Sequence, residues 1–495
     1  MRMIKNAQKS LEQHPILFLL ITGLSTRLYN LQSPILGIHS WRQADTAAMA
    51  RNFYENGYNF LYPQVDWGGN SSGYCETEFP IYSYIIALIY KFTGVFEAYG
   101  RLLSIIFALI GIYFLYRLIE DYLGKKTAFW SCLIYSILPL NIYYSRTFQA
   151  ESMTLMAGII SIYGFSCWLN SGKKWQLLSS ACFLALACLL KVLPIVYFGL
   201  PIAYLAYLNY GKKMVFKISI WLYVGFVSIV TILWYYHAHQ IYLESNLTFG
   251  FWSNQSDRFK FSLLVSVQFW LDILFRLIFR HFAVFGFPIF LIGLTMQRKA
   301  AQEYMFDVGL LGVLITTIAV PTSSYIHEYY QLPFMVFAVP FIGKVLANMS
   351  HLASPTLKYS LTTCLILIFA LGSGIYALDY MRPEQPKKSD VYALAQQIQA
   401  LTPPSSIVVA MTGGDPTLLY LSHRKGWLVV PEQITDDYLT QRTAEGAGYL
   451  VGNYTVIQSY APFTDIAQKQ RIRTIIQTRS RVLVNTDRFF IGAIP

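Results

Sequence analysis

The sequence predicts a mostly α, polytopic membrane helix bundle of about eleven spans, or thirteen. External juxtamembrane helices and a small C-terminal α/β domain outside the membrane complete it. Three observations carry this. Of 495 residues, 55% are hydrophobic and only 13% charged, where soluble chains carry about a quarter. Apolar runs of about 20 residues, the length that crosses a bilayer, recur between positions 15 and 379. The basic residues fall in short clusters between those runs, the positive-inside pattern. That distribution turns the net charge of +12 away from nucleic acid and toward a membrane.

The runs lie near 15–33, 100–119, 127–145, 150–170, 176–192, 193–210, 215–237, 281–297, 305–321, 332–348 and 359–379. The first is followed by no small-residue cleavage site and reads as an anchor. With eleven crossings, Arg2, Lys5 and Lys9 share one side with Arg117, Lys125 and Lys126, with Lys173 and Lys174, and with Lys212, Lys213 and Lys217. Arg298, Lys299, Lys344 and Lys358 fall there too. That side is the cytoplasm, which puts the N-terminus inside. The segment 79–94 is apolar enough to span, but counting it would invert every later cluster. It therefore reads as an interfacial or re-entrant helix. The stretch 258–281 is similar, interrupted by Asp272, Arg276 and Arg280, whose cations are expected to face lipid phosphates.

Outside then lie 34–99, 238–280, a short turn around His327, and the tail from 381. The tail changes character at Arg382-Pro-Glu-Gln-Pro-Lys-Lys, which sets a boundary between a membrane module, 1–380, and a soluble domain, 381–495. β-rich runs at Ser406–Met411, Trp427–Val430, Arg481–Val484 and Phe489–Ala493 alternate there with helical stretches. The turn Thr412-Gly-Gly-Asp-Pro416 lacks the Gly-Lys-Ser/Thr ending of a phosphate loop, and Asp415-Pro416 reads as a helix start. Five of the six cysteines lie in apolar segments and only Cys75 in a polar loop, so no disulfide framework or thiolate metal site is expected. No tight His/Cys/Asp spacing calls for a metal, and no cofactor is expected.

The run from His39 to Gly57 places Asp45 in a short polar helix just after the first apolar run. Trp41, Ala44, Ala47, Ala48 and Met49 are expected to press that helix onto the bilayer surface. Desolvation there would raise the Asp45 pKa toward that of a general base. The other acids of the loop, Glu55, Asp66, Glu76 and Glu78, are expected to be mostly solvated. At the external end of a later hairpin stand Arg146 and Glu151, an acid at a costly depth that would orient an acceptor or fix Arg146. Arg27, Lys191 and His327 also fall at external span ends. Together they form a ring of positive charge suited to a lipid phosphate, and Tyr329 and Tyr330 add stacking surface for a sugar.

In this order the residues resemble a known family. An Asp-bearing helix precedes Glu78-Phe79-Pro80. Then come Arg-Thr-Phe-Gln-Ala-Glu151, Leu-Lys191-Val-Leu-Pro, and His327-Glu-Tyr-Tyr330-Gln-Leu-Pro. The pattern, over roughly 15–345, is similar to the GT-C glycosyltransferases of the family 39 type, which include protein O-mannosyltransferases and lipid A aminoarabinose transferases. The resemblance implies transfer of a sugar, with inversion, from a polyprenyl-phosphate carrier to an external lipid, glycan or protein acceptor. It implies Asp45 and Glu151 as the catalytic acids, Glu78 as the acid before the loop proline, and Lys191 and His327 near the donor phosphate, where the residues themselves add Arg27 and Tyr330. Arg42, Glu78 and Arg146 are left to position the loop or acceptor. Thr46 stands where many members have a second acid, and Phe79 where others have Lys or His, so Asp45 would act alone. Absence of a cleavable signal or retention motif points to a bacterial plasma membrane. The rival reading is a transporter or flippase for an amphipathic solute, but such proteins tend to show repeats and midplane charges, and neither is visible.

Overall fold

The computed structural model describes residues 14–250, 258–349, 355–458 and 461–495; Arg2, Lys5 and Lys9 lie outside them. The chain forms two compact units. One comprises Met1–Tyr29, Leu102–Tyr236 and Asn254–Asp379, and the other Asn30–Arg101, His237–Ser253 and Tyr380–Pro495. A single cut near 380 does not describe this division, because the tail shares its unit with two earlier loops.

Among the described residues, five helices are long and apolar enough to cross a membrane: Ala98–Leu123, Glu151–Ser171, Ile218–Ser245, Glu328–Asn348 and Thr363–Glu384. A sixth is added if Val267–His281 and Gly286–Thr295, bent by 104°, form one broken span. The expected eleven are therefore not matched by eleven long helices, and the shortfall has local causes. Proline disfavours helical backbone in the residue before it and removes a donor. Leu138 is accordingly extended before Pro139, and the expected 127–145 span becomes Lys125–Ile137 and Pro139–Tyr144. The 193–210 run breaks at Phe198 into Pro194–Tyr197 and Gly199–Tyr210, and the first run is helical only over Pro15–Ser25.

Within the first unit, small residues let helices approach as they do in membrane bundles. A Cβ at Gly158 would lie 1.8 Å from the Phe198 ring, and one at Gly343 would lie 2.7 Å from the Thr127 carbonyl oxygen. The stretch expected to meet lipid with Arg276 and Arg280 is instead tied to protein. Arg276 donates to the carbonyls of Ser324 and Tyr325, at 3.1 and 2.6 Å, and Arg280 pairs with Asp379 at 3.1 Å. A guanidinium near a membrane is stabilised by any nearby carbonyl or carboxylate, and here the chain supplies them.

The second unit holds a five-stranded sheet in the order β2-β1-β3-β7-β6. The strands are β1 (Ile407–Met411), β2 (Lys425–Val429), β3 (Ala447–Asn453), β6 (Arg481–Asn485) and β7 (Phe489–Ala493). The short β4 (Val456–Gln458) and β5 (Ala461–Pro462) form a separate pair. β1 runs parallel to both β2 and β3, and β7 antiparallel to β3. Side chains alternate across a strand, so β1 feeds two cores. Val408 and Ala410 pack with Leu394, Ile398 and Leu419; Val409 and Met411 pack with Leu439, Ile472 and Ile476. Helices thus cover both faces of the sheet. β3 was not among the strands expected, because its two glycines mimic a turn. Packing demands Gly452, where a Cβ would lie 2.7 Å from Phe490 and 2.8 Å from Met411. Asp415 does start a helix: its Oδ1 accepts the Thr417 N–H at 2.9 Å.

The first loop joins the edge of this sheet. Gly69 N–H donates to the Gly426 carbonyl at 2.9 Å and Gly426 N–H to the Asp66 carbonyl at 3.1 Å, so Trp67 adds a short parallel bridge beside β2. The boundary motif is anchored as well, with the Glu384 carbonyl accepting from the Ser33 hydroxyl at 2.5 Å. These contacts explain why loop and tail form one unit.

Candidate active site

One group of candidate residues stands in the second unit, on the helix Ser40–Glu55. This helix does not lie on a surface as expected. Ala44 through Phe53 are all buried, because the loop 58–80 and the tail pack around it. Asp45 is 4% exposed, and the indole Nε1 of Trp67 donates to its Oδ1 at 3.0 Å. Burial pushes the Asp45 carboxyl up to about 7, against the opposing pull of the Trp67 hydrogen bond and of Arg42. Trp67 itself stacks on Phe249, with centroids 6.3 Å apart.

The neighbouring acids are not solvated as expected. Asp66 is 3% exposed and Glu76 1%. Asp66 pairs with Arg51 at 2.5 Å and accepts from Asn52 at 3.2 Å, while Glu76 accepts from the Thr248 hydroxyl. A charge held this deep has to be paired, and each of these is engaged. Glu78 forms an ion pair with Arg42 at 2.6 Å, and the Arg42 guanidinium lies 4.9 Å over Phe249. Arg42 and Glu78 therefore hold one another beside the segment that carries Phe249. Thr46, where a second acid was missed, donates its hydroxyl back to the Arg42 carbonyl at 2.8 Å.

A second group stands in the first unit. Glu151 opens the helix Glu151–Ser171, where the helix dipole favours a carboxylate. Its Oε1 meets Lys191 Nζ at 2.5 Å, so its partner is Lys191 and not Arg146. Lys191 ends its own helix in extended backbone, and its ammonium lies 4.5 Å over the Tyr329 ring and 4.9 Å over that of Tyr330. His327 stacks on Tyr329 with centroids 5.2 Å apart and planes 9° from parallel. Tyr144 donates to Glu328 at 2.9 Å and edges onto Tyr329. Glu151, Lys191, His327, Tyr329 and Tyr330 thus form one cluster from three distant stretches of chain.

Arg27, expected among the cations at external span ends, is enclosed by protein. It is 1% exposed and donates to the carbonyls of Gly23 and Ser136, both at 2.9 Å, and to the Ser145 hydroxyl at 2.5 Å. It lines a cavity of about 20 Å³ together with Glu151, Tyr135, Asn141 and Tyr144, room for about one water. Arg27 is therefore a buried positive charge behind Glu151. Arg146 is also fully buried.

Sequence reading had not singled out Trp67. Indole donors leave no periodic trace, and only the fold carries Trp67 to a carboxylate 22 positions away. Among the described residues no group of three or more His, Cys, Asp or Glu side chains is placed to hold a metal ion.

Residues 77–236 match the family described as dolichyl-phosphate-mannose-protein mannosyltransferase. That stretch holds Glu78, Arg146, Glu151 and Lys191. No curated protein matches the sequence. Among solved structures, ArnT from Cupriavidus metallidurans bound to undecaprenyl phosphate superposes with a TM-score of 0.68, at 12% identity over 97% of each chain. The archaeal oligosaccharyltransferase AglB from Archaeoglobus fulgidus, in complex with an inhibitory peptide and a dolichol-phosphate, gives 0.60 at 9% identity. That alignment covers 90% of this chain and 70% of AglB. The mycobacterial arabinofuranosyltransferase AftD gives 0.55 at 13% identity, over 97% of this chain and 39% of AftD. The superpositions show that the chain has the fold of these membrane glycosyltransferases, and residues 77–236 carry the likeness to the mannosyltransferase family.

Proposed function

We propose that this protein moves a sugar, with inversion, from a polyprenyl-phosphate carrier to an acceptor outside a bacterial plasma membrane. The observation that carries the proposal is Asp45, a buried carboxyl whose pKa of about 7 is matched to general-base work at neutral pH. In this reading Asp45 takes the proton from the acceptor hydroxyl or amine as that atom attacks the anomeric carbon. The bond to the carrier phosphate breaks on the opposite face, and the phosphate leaves with its electron pair. It needs no proton at neutral pH, only positive charge fixed in advance, which Lys191 supplies, with Arg27 behind it. Tyr330 and His327 offer rings for the sugar. Glu151 holds Lys191 in place, and Arg42 with Glu78 steadies the loop that faces the acceptor. In this reading the loop 34–99 and the domain 381–495 lie outside, with the N-terminus in the cytoplasm.

The pH dependence follows from Asp45. A base must be deprotonated, so transfer is expected to rise through about pH 7 and level off above it. Trp67→Phe removes the hydrogen bond that favours the charged form. A bond to a charged group is worth roughly 1.5–3 kcal/mol, and about 1.4 kcal/mol is one pH unit. The acid limb of the variant is expected to move up by about one to two units, with the plateau rate little changed. Rates measured from pH 5 to 9 test this, and an unmoved limb would separate Trp67 from the base.

Because cationic side chains take the phosphate in this scheme, no metal enters it. Transfer of radiolabelled sugar to envelope acceptors is expected to keep its rate, within about twofold, in excess EDTA. Inactivation restored by one divalent cation would replace Lys191 with a metal in the scheme.

A further inference from the structure

The residue that donates a hydrogen bond to Asp45 stands in a loop outside every helix and strand. Just after Trp67 come Gly68 and Gly69, both at positive φ, a backbone that glycine adopts without steric cost. Such a loop is placed by what it touches, and much of that belongs to the tail. Gly426 of β2 takes the Gly69 N–H and gives its own to the Asp66 carbonyl. Asn70 Nδ2 donates to the Glu445 carbonyl at 2.8 Å. A Cβ at Gly69 would lie 2.0 Å from the Trp427 ring, so the loop rests directly on β2. The Trp67 side chain packs on two cores at once. One is Met49, Val65 and Cys75, and the other is the tail core that contains Val408, Ala410 and Leu418.

A second set of contacts ties the same loop to the helix that carries Asp45. Asp45 and Asn52 stand seven positions apart and share one face of that helix. Asn52 and Arg51 both donate to the Asp66 carboxylate, at 3.2 and 2.5 Å. Arg51 also donates to the Tyr420 carbonyl of the tail at 3.0 Å, with its guanidinium 4.9 Å over the Tyr420 ring. Arg51 is 5% exposed and Asp66 3%. Breaking one side of a buried pair is costly, so the two partners are held in one arrangement. Asp66 immediately precedes Trp67. Helix, loop and tail therefore meet beside the indole whose N–H lies 3.0 Å from Asp45.

We propose that the tail domain is a positioning element for Asp45: through Gly426, Tyr420 and the Arg51–Asp66 pair it holds the Trp67 indole on the carboxylate. That Asp45 acts as a base rests on the transfer reading; the placement of Trp67 does not. The charged and titratable groups around Asp45 are Arg42 on its own helix, Asp66 and Cys75 from the loop, and Asp415 from the tail. Burial dominates the Asp45 carboxyl, the Trp67 hydrogen bond is the next largest influence, and the field of Asp66 is smaller. The variants therefore differ in sign. Asp66→Ala removes a negative neighbour, which alone would lower the Asp45 pKa, whereas release of Trp67 raises it by more. Gly69→Ala alters no charge and lifts the loop off Trp427, whose ring is held by the Arg442 guanidinium 5.3 Å over it.

The test uses the full chain in lipid nanodiscs, isotope-labelled at its indole nitrogens and followed by NMR from pH 5 to 9. The Trp67 signal is assigned by its loss in Trp67→Phe. It is expected to titrate near pH 7 in the wild type and to stop titrating in Asp45→Asn, Asp66→Ala and Gly69→Ala. The acid limb of transfer is expected to rise by about one to two pH units in Gly69→Ala, and by less in Asp66→Ala. Adding Trp67→Phe to Gly69→Ala should move it no further. Thermal unfolding checks that the variants fold; should either fail, Asn70→Ala takes its place, with the limb again expected to rise. A limb that falls in Asp66→Ala, stays in place in Gly69→Ala, or moves additively with Trp67→Phe would overturn the proposal. A Trp67 signal that behaves as expected in a protein that transfers no sugar from any polyprenyl-phosphate donor would instead remove the transfer reading and leave the positioning in place.

Discussion

Asp45→Asn is expected to lower transfer by about 10²–10⁴-fold, the usual contribution of a positioned general base, with no loss of folded protein. Asparagine has the same shape, and its Oδ1 can still accept the Trp67 N–H that lies 3.0 Å from the carboxylate. The substitution also removes a charge whose burial is unfavourable, so thermal stability should hold or rise. Initial rates and unfolding temperature, measured side by side, separate chemistry from folding. Full transfer by the variant would remove Asp45 from the reaction, and lost transfer with lost folding would make it structural.

Lys191→Met should be damaging on two counts. It leaves Glu151, only 6% exposed, without the ammonium 2.5 Å away, and breaking a buried pair on one side costs about 3–5 kcal/mol. It also removes the charge that would meet the departing phosphate. The double variant Lys191→Met, Glu151→Gln separates the two effects. It should recover most of the stability, because no buried charge is left alone, and none of the transfer. Recovery of both would make the pair purely structural, whereas a stable single variant would mean that Glu151 finds another cation, such as Arg27.

The sequence announced some of this in plain terms. Lys191 interrupts an apolar run just before a proline, and Asp45 stands in a polar helix after the first apolar segment; such breaks in periodicity are readable. Contacts made by folding are not. Glu151 was set beside Arg146 because they are five positions apart, but its partner lies 40 positions on. Asp66 and Glu76 read as solvated loop acids because burial comes from loop and tail packing, which no local pattern encodes. Arg27 read as one cation of a ring at span ends, since carbonyls that accept from a buried guanidinium leave no mark in composition. Span number went astray where proline cuts apolar runs that hydropathy alone treats as continuous, and β3 was lost because glycine required by close packing looks like glycine required by a turn.

The central claim is a single displacement from a polyprenyl-phosphate sugar, driven by one carboxylate base. It is tested most directly by supplying the full-length protein with a synthetic polyprenyl-phosphate sugar of known anomeric configuration, together with envelope lipids and glycans as acceptors. The linkage of the product is then read by NMR. An inverted linkage, with one polyprenyl phosphate released per sugar transferred, is the predicted result. A retained linkage would require a covalent intermediate and contradict the account.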